Sequence, residues 1–98
     1  MSADPETVNV DRALAHLIPF FFDNRRERLK EALVFCDNGD LTALRGVGHD
    51  FKGACGSYGF HRLAAMGSEL YEVKDADRAR ELILAMLTHL EAVRVEFV

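Results

Sequence analysis

His49 is followed one helical turn later by Lys52, and Gly53 comes directly after the lysine. Neutral imidazole, with a pKa near about 6.5, keeps a free nitrogen lone pair at physiological pH. A phosphoryl group accepted there would stand as a dianion just off the chain. Lys52 lies at a spacing that makes it a neighbour on a helix, so it can supply a compensating charge. An exposed ion pair is worth only about 0–1 kcal/mol, so the lysine tunes and positions more than it binds. Gly46, Gly48, Gly53 and Gly56 crowd around the pair. In a helix interior each costs about 1 kcal/mol relative to alanine, and a small domain has only about 5–15 kcal/mol of net stability. So many glycines imply a surface that has to stay bare. A partner protein can then bring its own reacting group against the imidazole, and proximity of this kind contributes up to about 7–11 kcal/mol.

The element that positions these residues is legible from its apolar side. Leu41, Leu44, Phe51, Cys55 and Tyr58 repeat at helical spacing, which predicts a helix over residues 41–58. Asn38-Gly39 is a stop signal for the preceding helix, and Asp40 is a good N-cap for this one. Gly59 sits where a left-handed C-cap would end it. With the apolar stripe at zero and about 100° per residue, His49 falls roughly 140° away, on the solvent side. By the same period Arg45 lies near about 100°, Lys52 near 80°, Gly56 near 120° and Gly53 near 180°. Basic residues therefore stand one turn before and one turn after the histidine. Asp50 is expected to project elsewhere and be solvated. Gly56 is read as serving access more than helix packing.

The other elements follow from the same periodicity. Residues 1–9, polar and carrying Pro5, read as a flexible tail ahead of a single domain over residues 10–98. A short helix with Leu14, Leu17 and Ile18 on one side is expected next. Pro19 suits the first turn of a second helix. There Phe22, Leu29, Leu33 and Cys36 form the buried stripe, and Arg25, Arg26, Glu27 and Lys30 are expected to be mostly solvated. Phe20, Phe21 and Phe22 cannot all face one core. A fourth helix covers residues 60–74, with Leu63, Met66, Gly67 and Leu70 inward. The last carries Ala79, Leu82, Ile83, Met86, Leu90, Val93 and Phe97 on one stripe. No segment alternates with period two over a useful length. Loops of two to four residues make sequential helices antiparallel. The expected fold is all-α, an antiparallel up-and-down four-helix bundle with a short extra N-terminal helix.

Composition bounds the function. The chain has 98 residues, of which 49% are hydrophobic, enough for a core without staples. Its net charge of −4 argues against a nucleic-acid partner. No run of apolar residues is long enough to span a membrane, and residues 1–11 lack the features of a secretory signal. Cys36 and Cys55 form no CxxC pair and are expected as free thiols in a reducing cytoplasm. His16, His61 and His89 have no clustered acidic or cysteine partners, so no metal site is expected. Nothing marks a substrate pocket: there is no paired acid, no nucleophile beside a base and no oxyanion donor. A monomer is expected, because the bundle itself satisfies the pattern of the last helix.

His49-x-x-Lys52-Gly53-x-x-x-x-x-Gly59 resembles the signature of the histidine-containing phosphotransfer (HPt) domain of bacterial multistep phosphorelays. Asn38-Gly39-Asp40-Leu41-x-x-Leu44 resembles that family's turn and helix start before the histidine. Leu63-Ala64-x-Met66-x-x-Glu69-Leu70-Tyr71-Glu72 resembles the helix that follows, and the likeness runs over about residues 10–98. The resemblance implies a cytoplasmic helical bundle that is a phosphocarrier and not an enzyme. It would accept a phosphoryl group on Nε2 of His49 from a receiver-domain aspartate and pass it to another receiver. Lys52 would be the phosphate neighbour, Gly53 would clear space beside it, and Gly59 would end the helix. The receiver brings the Mg²⁺ and the acidic pocket, so no cofactor is expected here. The implied partners are receiver domains of response regulators or of a hybrid histidine kinase. Arg45, Gly53, Gly56, Ser57 and Gly59 are the candidate binding residues, with His61 and Arg62 nearby. Gly46 and Gly48 stand where bulkier residues are common in the family and are expected to loosen this turn. The alternative is a helical adaptor that binds receiver or kinase domains without transferring phosphate.

Overall fold

Asp40 accepts a hydrogen bond from the backbone N–H of Ala43 at 3.0 Å, and the helix that follows runs over Leu41–Tyr58. This cap satisfies one of the donors that every helix start leaves free. In the computed structural model, which describes residues 6–98, three further α-helices surround that one. We number them α1 (Ile18–Asp37), α2 (Leu41–Tyr58), α3 (His61–Tyr71) and α4 (Ala76–Ala92). Pro19 lies in the first turn of α1, as its fixed φ and missing N–H favour. Asp75 caps α4 by accepting from the N–H of Arg78 at 2.8 Å. Gly39 and Gly59, at φ 64° and 89°, are the positive-φ glycines that close α1 and α2. At each, the next N–H reaches back five residues, Asp40 to the carbonyl of Phe35 and Phe60 to that of Cys55. This is the Schellman arrangement.

Each helix contributes one stripe to the core. Leu29, Ala32, Leu44, Val47, Phe51, Cys55, Phe60, Leu63, Leu70, Ala79, Ile83 and Met86 are all fully buried. α2 packs chiefly on α3, α1 packs on α4 and α2, and α3 closes against α4. Of the three consecutive phenylalanines, Phe21 is buried and stacks on Phe60 with centroids 5.0 Å apart. Phe22 is half-buried and Phe20 is exposed.

Two short strands depart from the all-helical expectation. β1 (Thr7–Val10) and β2 (Arg94–Phe97) pair in parallel, with Val8 opposite Val95 and Val10 opposite Phe97. Val8 and Val10 point into the core and are buried, while Thr7 and Asn9 face solvent. Four residues are too few for period two to stand out in a sequence. The tail expected over residues 1–9 thus gives way to folded chain by Glu6, whose carbonyl accepts from Arg94 N–H at 2.8 Å. Residues 1–5 of that tail lie outside the described residues. The last helix likewise stops at Ala92, and Val93 turns extended at ψ 140°. Phe97 is therefore a strand residue and not part of the α4 stripe. Between β1 and α1, Arg12–Leu17 form a 3-10 helix, with Asp11 accepting from Ala13 N–H at 2.9 Å. Leu14 packs on the core from it, and Ile18 already belongs to α1. α3 spans less than the expected residues 60–74, though Val73 beyond its end is buried.

Arg25 is the main correction on α1. It was expected in solvent, yet it is buried. Its guanidinium lies over the ring of Phe51, 4.7 Å from the centroid, and pairs with the carboxylate of Asp50 at 3.0 Å. Asp50, expected to be free, also receives Arg28 at 3.5 Å. The charge that helix periodicity assigns to water is held by a carboxylate on the neighbouring helix, and its stem fills core space. Arg25→Ala should destabilise the domain by about 2 kcal/mol, less than a fully buried pair because Arg28 and solvent still serve Asp50. Urea unfolding would measure this, and an unchanged midpoint would show the pair to be idle.

Candidate functional site

His49 stands exposed midway along α2, and Lys52 one turn later is exposed beside it. Both side chains line one shallow depression of about 340 Å³. Its other walls, Ser68, Tyr71 and Glu72, come from α3 and the residue that ends it. The Tyr71 ring lies 6.1 Å from the His49 ring, centroid to centroid, at an angle of 48°. Arg45 is exposed one turn before His49 but lines a second depression, shared with Tyr71, Glu72 and Lys74. The basic flank inferred from the sequence is therefore split across two hollows, and Glu72 stands in both.

The glycines divide into two kinds. A methyl group added at Gly46 or at Gly53 would meet nothing within 4 Å, so these two leave open surface on either side of His49. Gly48 does the opposite. A Cβ there would lie 2.5 Å from the carbonyl oxygen of Gly67 and 2.5 Å from the backbone nitrogen of Tyr71. Gly67 returns the contact, its Cβ position falling 2.8 Å from that of Phe51 and 2.9 Å from the backbone nitrogen of Lys52. The backbones of α2 and α3 touch here without intervening side chains. Gly48 thus fixes the turn it was expected to loosen. Gly56 is half-buried, with the Ala64 methyl 3.9 Å from where its own would be. It lies at the edge of the same seam and offers less open surface than Gly53.

The remaining sequence candidates fall into place around this seam. Ser57 donates its hydroxyl to the carbonyl of Gly53 at 2.9 Å, within its own helix. Gly59 is the left-handed end of α2 and lies against β1, 3.7 Å from Val8 Cγ1. In the fold it closes α2 in the left-handed conformation. His61 and Arg62 are exposed in the first turn of α3. Cys55 is fully buried, and burial pushes its thiol up to about 12, with Arg25 opposing in part. It is no nucleophile at neutral pH. Among the described residues no group of three or more His, Cys, Asp or Glu is placed to hold a metal ion. No helix there is long and apolar enough to cross a membrane.

An exposed histidine ring with a lysine, an aromatic neighbour and bare helix on both sides can present its lone pair to a group carried by another protein. The family model of the Hpt domain matches residues 20–95. The chain belongs to the Hpt domain family. Hpt domains are phosphocarrier modules that interact with receiver domains in two-component phosphorelay signalling. Neither the curated proteins nor the solved structures gave a match. Within this Hpt domain, the sequence pointed to the α2 side of the hollow and missed its α3 side. Tyr71 and Glu72 fall within the stretch that resembles the family's next helix but carry no site role there, Ser68 is not singled out by the sequence at all, and the register between α2 and α3 rests on Gly48 and Gly67.

Proposed function

We propose that this Hpt domain relays phosphoryl groups through His49 between receiver domains, on an antiparallel up-and-down four-helix bundle acting as a cytoplasmic monomer. The observation that carries the reading is an exposed imidazole sharing a hollow with Lys52, between stretches of helix left open at Gly46 and Gly53. Nε2 of His49 attacks the phosphorus of a receiver's aspartyl phosphate. The new N–P bond forms as the acyl-phosphate O–P bond breaks, and the receiver's aspartate leaves as a carboxylate. The reverse step on a second receiver passes the group on. Lys52 places its ammonium beside the phosphoryl oxygens. Gly53 keeps the receiver from meeting a side chain beside that contact, and Arg45 meets the receiver at the next hollow. The receiver's own Mg²⁺ would supply the charge that steadies the transfer.

The test is to incubate the protein with a phosphorylated receiver and Mg²⁺ and to follow the label. An acid-labile, alkali-stable label mapping to the peptide that contains His49 is expected. No transfer from any cognate receiver would overturn the reading. Lys52→Ala should fold with unchanged stability, since the side chain is exposed, yet transfer about tenfold more slowly, the loss of one charge-assisted contact in the transition state. Rapid-quench transfer rates measure it, and a fully active variant would leave Lys52 without a role.

A further inference from the structure

Tyr71 is the aromatic residue that core packing leaves unexplained. Leu70 before it is fully buried and Val73 after it is buried, but Tyr71 itself is 47% exposed. It ends α3 and lines both hollows on the His49 face. Its backbone lies tight against α2, its nitrogen 2.5 Å from the point where a Gly48 Cβ would be. The ring lies 6.1 Å from the imidazole. At that separation and tilt the two rings are aromatic neighbours that do not stack face to face, and both border the one hollow into which a phosphoryl group on the imidazole would project.

From this geometry, and resting on the reading of His49 as the phosphoryl acceptor, we propose that Tyr71 holds the phosphorylated state. Its hydroxyl donates a hydrogen bond to a phosphoryl oxygen on His49, and its ring walls that side of the group from water. Lys52 meets the phosphoryl from α2 and Tyr71 meets it from α3, so the two helices clasp it between them. A hydrogen bond from a phenol to a phosphate oxygen is charge-assisted, and stronger than one between neutral groups. It favours the dianion over the monoanion, so it lowers the second pKa of the phosphoryl group. Glu72, in the same hollow, acts in the other direction by like charge. Tyr71 therefore sets how long the carrier stays charged between receivers.

The experiment needs no receiver. Phosphoramidate donates a phosphoryl group to histidine directly: its P–N bond breaks, ammonia leaves, and the N–P bond to the imidazole forms. The wild type and Tyr71→Phe are charged in this way. The half-life of the phosphohistidine and the pH titration of its ³¹P signal are then compared. Tyr71→Phe keeps the ring and loses only the hydroxyl. Its phosphohistidine should decay at least about threefold faster, the loss of a modest hydrogen bond, and its ³¹P titration should move to higher pH. Tyr71→Ala, which also opens the wall, should decay faster still. Equal half-lives and superimposable titrations in wild type and Tyr71→Phe would overturn the proposal. That holds also if receiver-dependent transfer slows, which would mark Tyr71 as a docking contact only. A charged wild type with equal lifetimes thus removes the Tyr71 assignment and leaves His49 standing. A wild type that takes no phosphoryl group on His49 removes both.

Discussion

His49→Gln should take up no phosphoryl group from any receiver while its melting temperature stays where it was. The two halves of that expectation rest on different facts. The ring is exposed and makes no contribution to the core, and exposed substitutions of this kind usually shift stability by under about 0.5 kcal/mol. Glutamine keeps size and polarity but has no nucleophilic nitrogen, so the N–P bond cannot form. Other imidazoles are present, which makes the experiment informative. His16 is exposed on the 3-10 helix, His61 is exposed near the start of α3, and His89 is engaged with Glu6, Nε2 to Oε1 at 2.9 Å. His49 differs from them in lining a hollow together with Lys52 beside the open helix at Gly46 and Gly53. Label retained at wild-type level in His49→Gln would move the acceptor to one of these and dismantle the site. The adaptor alternative gives a different pattern: receivers bind wild type and variant alike, and neither protein is labelled.

The face of α2 was readable because it obeys one local rule. At helical period His49 and Lys52 had to be neighbours on the solvent side, and they are. The caps at Asp40 and Gly59 were equally local, each needing only a few residues of chain. What the sequence withheld was in each case a contact between elements. Arg25 reads as a surface cation until α2 brings Asp50 and Phe51 against it. Val8 reads as tail until β2 supplies a partner 87 residues along, Val8 opposite Val95. Tyr71 reads as one residue within a helix over residues 60–74 until the α2–α3 register sets its ring beside His49. Gly48 was misread for a related reason. At about 100° per residue it falls near 40° from the apolar stripe, well inside the buried arc. A stripe traced through large apolar side chains passes over a residue that has none.

That oversight leads to the largest stability effect expected in the fold. Gly48→Ala should destabilise the domain by about 3 kcal/mol, at the upper end of what overpacking costs. Alanine's helix propensity works the other way and is worth about 1 kcal/mol. The clash wins because the atoms in the way are backbone, the carbonyl oxygen of Gly67 and the nitrogen of Tyr71, each 2.5 Å from the new carbon. A side chain could turn aside, but these can retreat only if α3 moves off α2 as a body. For a domain of this size the loss lowers the melting temperature by roughly 12–24 °C. Gly46→Ala is the matched comparison. It adds the same methyl two residues earlier on the same helix, into open space, and should raise stability by up to about 1 kcal/mol. Equal melting temperatures for the two variants would mean that the helices can part freely. If they cannot, the bare backbone at Gly48 serves the site from behind. It draws α3 in until Tyr71 stands across from His49, and the open glycines at positions 46 and 53 leave the front of the imidazole clear. The glycines that looked alike in sequence then do two opposite things, one closing a seam and the others keeping a surface empty.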